Sequence, residues 1–408
     1  MSIGLAPNPP SPAEVIVVRE YKEERDKAAV EAFERHCDFW QPGKPSLVTN
    51  FLGDPLCRVR QFPLRVMLVA EHGEEGEIVG GIRGCIKTVS KGEIKSPLST
   101  HDDNLVYIKL AYVLGLKVSP AHRRLGIGTK LVQRLEDWCK INGADYAYMA
   151  TDSHNEASLN LFTLKCNYIK FRTPTILVQP VYAHNKPLVS GIVIKRLDTQ
   201  LACWVYHKSF ANAEFFPKDI DLILQNKLTL GTFMAIPKSH INHWHPKMTI
   251  LPPSFAILSI WNTKDMFQFQ VKGVSPLKYA ECAGTRVLDA LMPCLRLPSV
   301  PNFFKQFGVY LLYGLHMSGY GASRLMKALC AHAHNMARND VACRAVVAEV
   351  GQRDPVREVI PHWRKLSWSE DIWCIKKLGP VQRENSGQHD WIKSGSSPSV
   401  IFVDPRDF

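Results

Sequence analysis

The feature that most limits the fold is a junction in the first half of the chain. A β-rich run at residues 107–118 (YIKLAYVLGLKV) stops at Ser119-Pro120, and a helical pattern then spans residues 129–141, with Leu131, Leu135 and Trp138 on one face. Between them lies a glycine-bearing turn, HRRLGIG (122–128). Strand, tight turn and helix together form the nucleus of an α/β unit. The flanking sequence extends it. A short apolar run at 15–20 and a helical pattern at 22–37 come first, followed by strand-like runs at 65–71 and 77–88 on either side of EHGEEGE. After the junction come a strand at 144–151, a helix around 158–165 and renewed strand character up to residue 180. An α/β domain with a mixed sheet, of the α+β kind, is expected over residues 15–180.

The second half repeats this order. YVLGLKVS (112–119) matches YLLYGLHMS (310–318) in kind, LVQRL (131–135) matches LMKAL (325–329), and YAYMATD (146–152) matches RAVVAEV (344–350). With 408 residues, two domains are the natural expectation. The reading is an internal duplication: a flexible tail at 1–14, a first domain at 15–180, a linker at 181–204, a second domain at 205–385 and a C-terminal tail at 386–408. Strands are expected at 230–236, 254–271, 308–317, 343–350 and 371–378, with a helix at 322–338.

A formal charge of +12 favours anionic partners, nucleotide phosphates foremost, and leaves direct nucleic-acid binding open. The acidic stretches 71–77 and 101–103 read as solvated loops. Eleven scattered cysteines without framework spacing point to reduced thiols in a cytosolic or nuclear protein. The start lacks the order of a secretory signal, and no apolar run approaches the roughly 20 residues that span a bilayer. Secretion and membrane insertion are therefore not expected. His240-x-x-His243-x-His245 and Cys330-x-His332-x-His334 lack the compact spacing of a metal site, and none is expected.

The turn at 119–129 carries the sharpest chemical signal. A helix N-terminus presents amide N–H groups without intrahelical partners and the positive end of the helix dipole, which suits an anion. Gly126 and Gly128 let the backbone close around a diphosphate, and Arg123 and Arg124 add charge beside it. The spacing fits neither a P-loop nor a dinucleotide fingerprint. Arg123-x-x-Gly126-x-Gly128, three residues after Pro120, instead resembles the acetyl-CoA pyrophosphate loop of GNAT acetyltransferases. At finer grain, GDPLCRVRQFP (53–63), EIVGGIRGCIKTV (77–89), KVSPAHRRLGIGTKLV (117–132), NLFTLKCNYIKFRTPTILVQPVYAH (160–184), IWNTKDMFQF (260–269) and CRAVVAEVGQRDP (343–355) resemble the plant Hookless family.

That resemblance implies tandem GNAT-like domains, the second degenerate, and an N-acetyltransferase that uses acetyl-CoA as co-substrate. Backbone groups of Leu116 and Val118 would pair with pantetheine. The loop Arg123, Arg124, Leu125, Gly126, Ile127, Gly128 and Thr129 would hold the diphosphate. Asn155, Ser158 and Phe162 would form the second cofactor motif, although Asn155 also reads as a helix N-cap. The acceptor implied is a protein lysine, a histone or another chromatin protein among the candidates, in a nuclear or nucleocytoplasmic protein linked to ethylene- and auxin-dependent growth. A small-amine acetyltransferase and a non-catalytic scaffold are the alternatives. The scaffold reading draws on Phe162, which stands where many GNAT enzymes have a Tyr that protonates the leaving thiolate. No carboxylate lies on the strand at 105–118, so Asp102, Asp103, Asp152 and His154 are the candidate bases by proximity in sequence. The second half's turn, from His316 to Ser323, is shorter and has no Arg before its glycines; it is expected to bind a diphosphate poorly.

Overall fold

The computed structural model describes residues 16–37, 45–94, 105–240, 250–296, 299–367, 371–379, 391–392 and 400–408. The first half contributes β1 (Ile16–Glu20), α1 (Glu23–Cys37), β2 (Ser46–Asn50), β3 (Leu64–His72), β4 (Glu77–Ile94), β5 (Leu105–Val118), α2 (Ile127–Ile141), β6 (Tyr146–Asp152), α3 (Glu156–Asn160), β7 (Ile169–Arg172) and β8 (Thr175–Pro180). The second contributes β9 (Ile192–Leu197), α4 (Thr199–Ser209), β10 (Glu214–Pro217), α5 (Ile220–Gln225), β11 (Thr229–Pro237), β12 (Phe255–Asn262), β13 (Gln268–Lys272) and α6 (Pro276–Leu291). It closes with β14 (Gly308–Ser318), α7 (Ala322–Asn339), β15 (Cys343–Val350) and β16 (Asp371–Lys377).

Two mixed sheets result. One runs β1-β3-β4-β5-β6-β16-β7, with β10 added against β4; the other runs β8-β15-β14-β12-β11-β9. Each has one parallel pair, β5 with β6 and β14 with β15, and antiparallel neighbours elsewhere. The expected duplication is therefore present in three dimensions, down to a bulge in the central strand: Gly115 (φ +64°) in β5 and Gly314 (φ +59°) in β14. α2 and α7 then begin at N-caps of positive φ, Gly126 and Gly321.

The helices lie where the strands leave room. α2 buries Ile127, Leu131, Leu135 and Cys139, one residue per turn. It seats on Gly80 and Gly84 of β4, where an added Cβ would come within 3.0 Å of Leu131 and 2.7 Å of Leu135 respectively. α7 buries Leu325, Met326, Leu329, Ala333 and Ala337 against the second sheet.

The closing strands are exchanged. β8, at the end of the first half, pairs antiparallel with β15 of the second sheet, Thr175 opposite Val350 and Pro180 opposite Ala345. β16, at the end of the second half, inserts between β6 and β7 of the first sheet. The transfer occurs at Thr173-Pro174, the only residues between β7 and β8; Pro174 has no N–H to continue a ladder. Arg172 anchors the crossing with a buried two-point contact to Glu214, Nη2 to Oε1 at 2.9 Å and Nε to Oε2 at 3.1 Å.

Several segments differ from the sequence reading. The run expected as one strand at 254–271 is two, β12 and β13, separated by a turn in which the Met266 N–H donates to the Thr263 carbonyl at 2.8 Å. β13 pairs with β2 in a separate ribbon. The stretch 181–204 contains β9 and the start of α4, which Asp198 caps by accepting from the Leu201 N–H at 2.8 Å. Its strand is half-exposed, so the hydrophobic pattern is weak. Residues 400–408, expected within a tail, are almost wholly buried. Charge pairing holds them there. Arg406 binds Asp404 and Asp219 and stacks on Phe62, and Arg58 donates to the carbonyls of Asp407 and Phe408.

Candidate functional site

The site begins where β5 and β6 part. Their parallel ladder covers Leu110–Val113 against Tyr146–Met149 and stops, although β5 continues to Val118 and β6 to Asp152. The bulge at Gly115 reinforces the divergence by re-aiming the β5 backbone. A Cβ there would meet Arg83 Nη1 at 2.9 Å. Arg83 is itself fixed under the strand by the Pro55 carbonyl, at 2.5 Å, and by Glu34. Leu116 and Val118 lie on the diverging half of β5, each half-buried.

The Ser119 N–H donates back to Val79, and a single helical turn at Pro120–His122 carries the chain outward. Arg124 (φ +68°) and Gly126 (φ +78°) then adopt left-handed backbone. Among the described residues, the amides from Arg123 to Thr129 donate to no protein acceptor; the first closed helical bond runs from the Lys130 N–H to the Gly126 carbonyl at 3.0 Å. Arg123, Arg124, Leu125 and Gly126 are exposed, and a Cβ on Gly126 would touch nothing within 4 Å. Ile127 is buried beneath them and anchors the helix start. Gly128 faces Leu161 closely, where a Cβ would sit at 3.2 Å. The result is an open row of donors with two guanidinium groups beside it, a geometry made for an anion.

The corresponding turn in the second half packs against its own chain at Gly319. A Cβ on Gly319 would fall 2.1 Å from the Pro253 carbonyl, and Ser254 Oγ donates to the Tyr320 carbonyl at 2.8 Å. Gly321, the counterpart of Gly126, is as open as Gly126, so what distinguishes this turn is its shorter span and the absence of an Arg before its glycines.

The remaining sequence candidates divide. Asn155 caps α3, accepting from the Ser158 N–H at 3.2 Å, and Ser158 is half-buried. Phe162 lies in a π-helical turn and is buried in the core, edge-on to Tyr168 at 5.1 Å. Asn167 takes φ +59° just before Tyr168, so it does the work of a turn glycine. Asp152 is exposed at the end of β6, where it accepts from the His154 N–H at 2.7 Å. The His154 ring is 93% exposed. Asp102, Asp103, His243 and His245 lie outside the described residues. His334 is spoken for: its Nε2 accepts from the Tyr182 N–H at 3.0 Å.

Between the two sheets, at the mouth of the β5–β6 divergence, lies a cavity of about 640 Å³. The first sheet supplies Tyr112, Gly115, Tyr148 and Asp371; the second supplies Val347 and Glu349. Phe267, Phe269, Phe303 and Phe307 form an apolar wall, and Asp407 and Phe408 close the floor. Tyr112 and Tyr148 stack at 4.7 Å. Tyr148 donates to Asp407 Oδ2 at 2.6 Å and Lys87 pairs with the same carboxylate, while the buried Oδ1 has no hydrogen-bond partner among the described residues.

This cavity concentrates carboxyl groups in apolar surroundings. Burial, reinforced by the charges of Asp371 and Asp407, pushes the Glu349 carboxyl up to about 8. Burial and the facing Asp152 raise Asp371 to about 6. Burial also raises Asp407, against the pull of Lys87. The sequence reading missed Glu349, Asp371 and Asp407. For Glu349 a signal existed: it is the lone carboxylate in CRAVVAEV, a largely buried strand in which Arg344 is the other charged residue.

Comparison with known proteins places this architecture. The acetyltransferase (GNAT) family model matches residues 26–168. Probable N-acetyltransferase HLS1 of Arabidopsis thaliana is 49% identical over 405 residues, covering 96% of this chain and 100% of that protein. Acetyl transferase GW6a of Oryza sativa subsp. japonica is 40% identical over 433 residues, covering 97% and 98%. Among solved structures, the GCN5-related glucosamine N-acetyltransferase region of a fungal multi-domain β-N-acetylglucosaminidase is 13% identical with a TM-score of 0.50, over 88% of this chain and 38% of that one. Saccharomyces cerevisiae N-myristoyltransferase with bound myristoyl-CoA is 8% identical with a TM-score of 0.50, over 92% and 81%. These two show the fold alone. Full-length identity to the plant proteins, together with the family match across the first domain, decides membership: the chain belongs to the GNAT acetyltransferase family, in its Hookless-type plant group.

Proposed function

We propose that the protein transfers an acetyl group from acetyl-CoA to a primary amine, with the coenzyme's diphosphate on the amides of Arg123–Thr129 and the amine in the cavity between the sheets. The observation that carries this reading is the row of unoccupied amide donors at the start of α2, adjoining a strand divergence that opens into the cavity. Arg123 and Arg124 would add charge-assisted contacts to the diphosphate. Leu116 and Val118 would offer backbone groups to pantetheine along the open half of β5. Asn155 would act through the cap it forms, and Phe162 through packing, since its ring lies in the core and has no proton to give.

The acceptor proposed is a protein lysine. A largely apolar cavity with carboxyl groups suits an alkyl chain ending in an ammonium, and Asp407 Oδ1 lies there without a partner among the described residues. The Hookless-type kinship extends the proposal to a chromatin protein such as a histone, in the nucleus, within hormone-linked growth control. A second reading, a GNAT-shaped scaffold without turnover, rests on the missing phenol at Phe162.

Incubation of the protein with acetyl-CoA and a panel of lysine peptides, histone tails and polyamines, followed by thiol release and mass spectrometry, separates these. Acetylated peptide without acetylated polyamine is the expected result. Binding of acetyl-CoA with no thiol release on any acceptor would leave the scaffold.

A further inference from the structure

We propose that Glu349, on β15 of the second half, is the general base that deprotonates the acceptor amine held at the β5–β6 divergence of the first half. The assignment rests on the proposed transferase reading but is not implied by it, because β5 itself has no carboxylate and the base comes from the degenerate copy.

The placement is a consequence of the fold. β15 is the second sheet's counterpart of β6, and its end faces back across the cavity toward the first sheet, where Glu349 lines the same space as Tyr112, Gly115 and Tyr148. The charged and titratable groups that face it are Asp371 from β16, Asp407 from the C-terminal segment, Lys87 from β4 and Tyr112 from β5. Arg58, Asp152 and Lys365 also line the cavity. Two of the neighbouring carboxylates are committed, and Asp371, raised to about 6, lies opposite Asp152 across the β6–β16 ladder. Asp407 is held by Lys87 and Tyr148, and Asp152 binds the His154 turn. Glu349 has apolar strand neighbours, Ala348 and Val350, and no ion pair among the described residues. A base poised near the working pH is the most effective, and a carboxyl raised to about 8 by burial meets that condition.

Glu349 carboxylate takes one proton from the alkylammonium, leaving a neutral amine and a neutral carboxylic acid. The amine nitrogen attacks the thioester carbonyl carbon; the C–N bond forms and the C–S bond breaks with its electron pair on sulfur. The second proton passes from nitrogen to the departing thiolate, and Glu349 returns its own proton to solvent. The backbone of the diverging β5 is placed to polarise the thioester carbonyl.

The test compares wild type with Glu349→Gln and Glu349→Asp, using a lysine-peptide mixture as acceptor. Three readouts are needed: acetyl-CoA binding by calorimetry, kcat/KM against pH, and difference infrared spectra of the carboxylic-acid band. The Gln variant is expected to bind acetyl-CoA as wild type does, to lose at least about 100-fold in kcat/KM, and to lose both the acid limb and an infrared band titrating near pH 8; Asp should restore part of the rate. A Gln variant with the wild-type rate and acid limb overturns the assignment, as does absence of acetyl transfer by any of the proteins while acetyl-CoA still binds. Failure of wild type to bind acetyl-CoA would instead strike the transferase reading, and the infrared titration would still report whether Glu349 is the raised carboxyl.

Discussion

Replacing Glu349 by Gln should flatten part of the protein's pH–stability curve. In the unfolded chain this carboxyl ionises at its ordinary 4.5; in the fold, burial and the neighbouring Asp371 and Asp407 raise it to about 8. Between those values the folded chain binds the additional proton, so stability must fall as pH rises through the window, with the loss complete above about 8. At about 1.36 kcal/mol per pH unit, the full displacement bounds the penalty at roughly 5 kcal/mol. Glu349 is only half-buried and shares its charge environment with Asp407, so about 2 kcal/mol is the working figure. Gln keeps the shape and removes the titration. Urea unfolding at pH 5 and pH 9 measures the effect directly: relative to wild type, the variant should gain about 2 kcal/mol at the higher pH, and the midpoint should move without a change in slope. A wild-type-minus-variant difference that is the same at both pH values would refute the claim that the fold raises this carboxyl.

Other consequences follow from named contacts. Arg123→Ala, at an exposed position, should weaken acetyl-CoA binding by about tenfold in calorimetry while leaving the melting temperature alone; Ser323→Ala, at the arginine-poor turn of the second half, should change neither. Gly84→Ala places a methyl group 2.7 Å from Leu135 and should cost about 1–3 kcal/mol in denaturant unfolding by displacing α2. Arg172→Ala leaves Glu214 buried without its partner and should cost about 3–5 kcal/mol, whereas pairing it with Glu214→Gln should recover much of the loss.

The parts legible in the sequence are those that local physics decides. The helical spacing of Leu131 and Leu135, the β-rich run that ends at Ser119, and two glycines with flanking arginines locate the first domain's central strand, its helix and the anion cradle. All three depend on neighbours within a few turns. The duplication was legible for the same reason, since both halves repeat one order of elements and matching strings such as YVLGLKVS and YLLYGLHMS. The acceptor cavity was not. Glu349, Asp371 and Asp407 are far apart in sequence and meet only through the exchange of strands. Nothing in TILVQP or DIWCIKK says which sheet will accept it, because an apolar strand satisfies either. The buried C-terminal segment was hidden by its charges. DPRD reads as surface until Asp219 and Phe62 are known to receive Arg406.

The exchange also explains why a copy without a working cradle would persist. Without β16, β6 and β7 of the first sheet would each face an open edge, a liability for any sheet. Without β8, β15 would lose its outer partner in the same way. Neither half can therefore be discarded without exposing the other, and the second sheet stays under constraint although its turn has no Arg before its glycines. Residues 15–180 expressed alone should accordingly be insoluble or poorly packed, and co-expression with residues 181–408 should restore both solubility and acetyl-CoA binding. A soluble, cooperatively melting first half on its own would show that the shared strands are a convenience of the tandem arrangement and not its structural requirement.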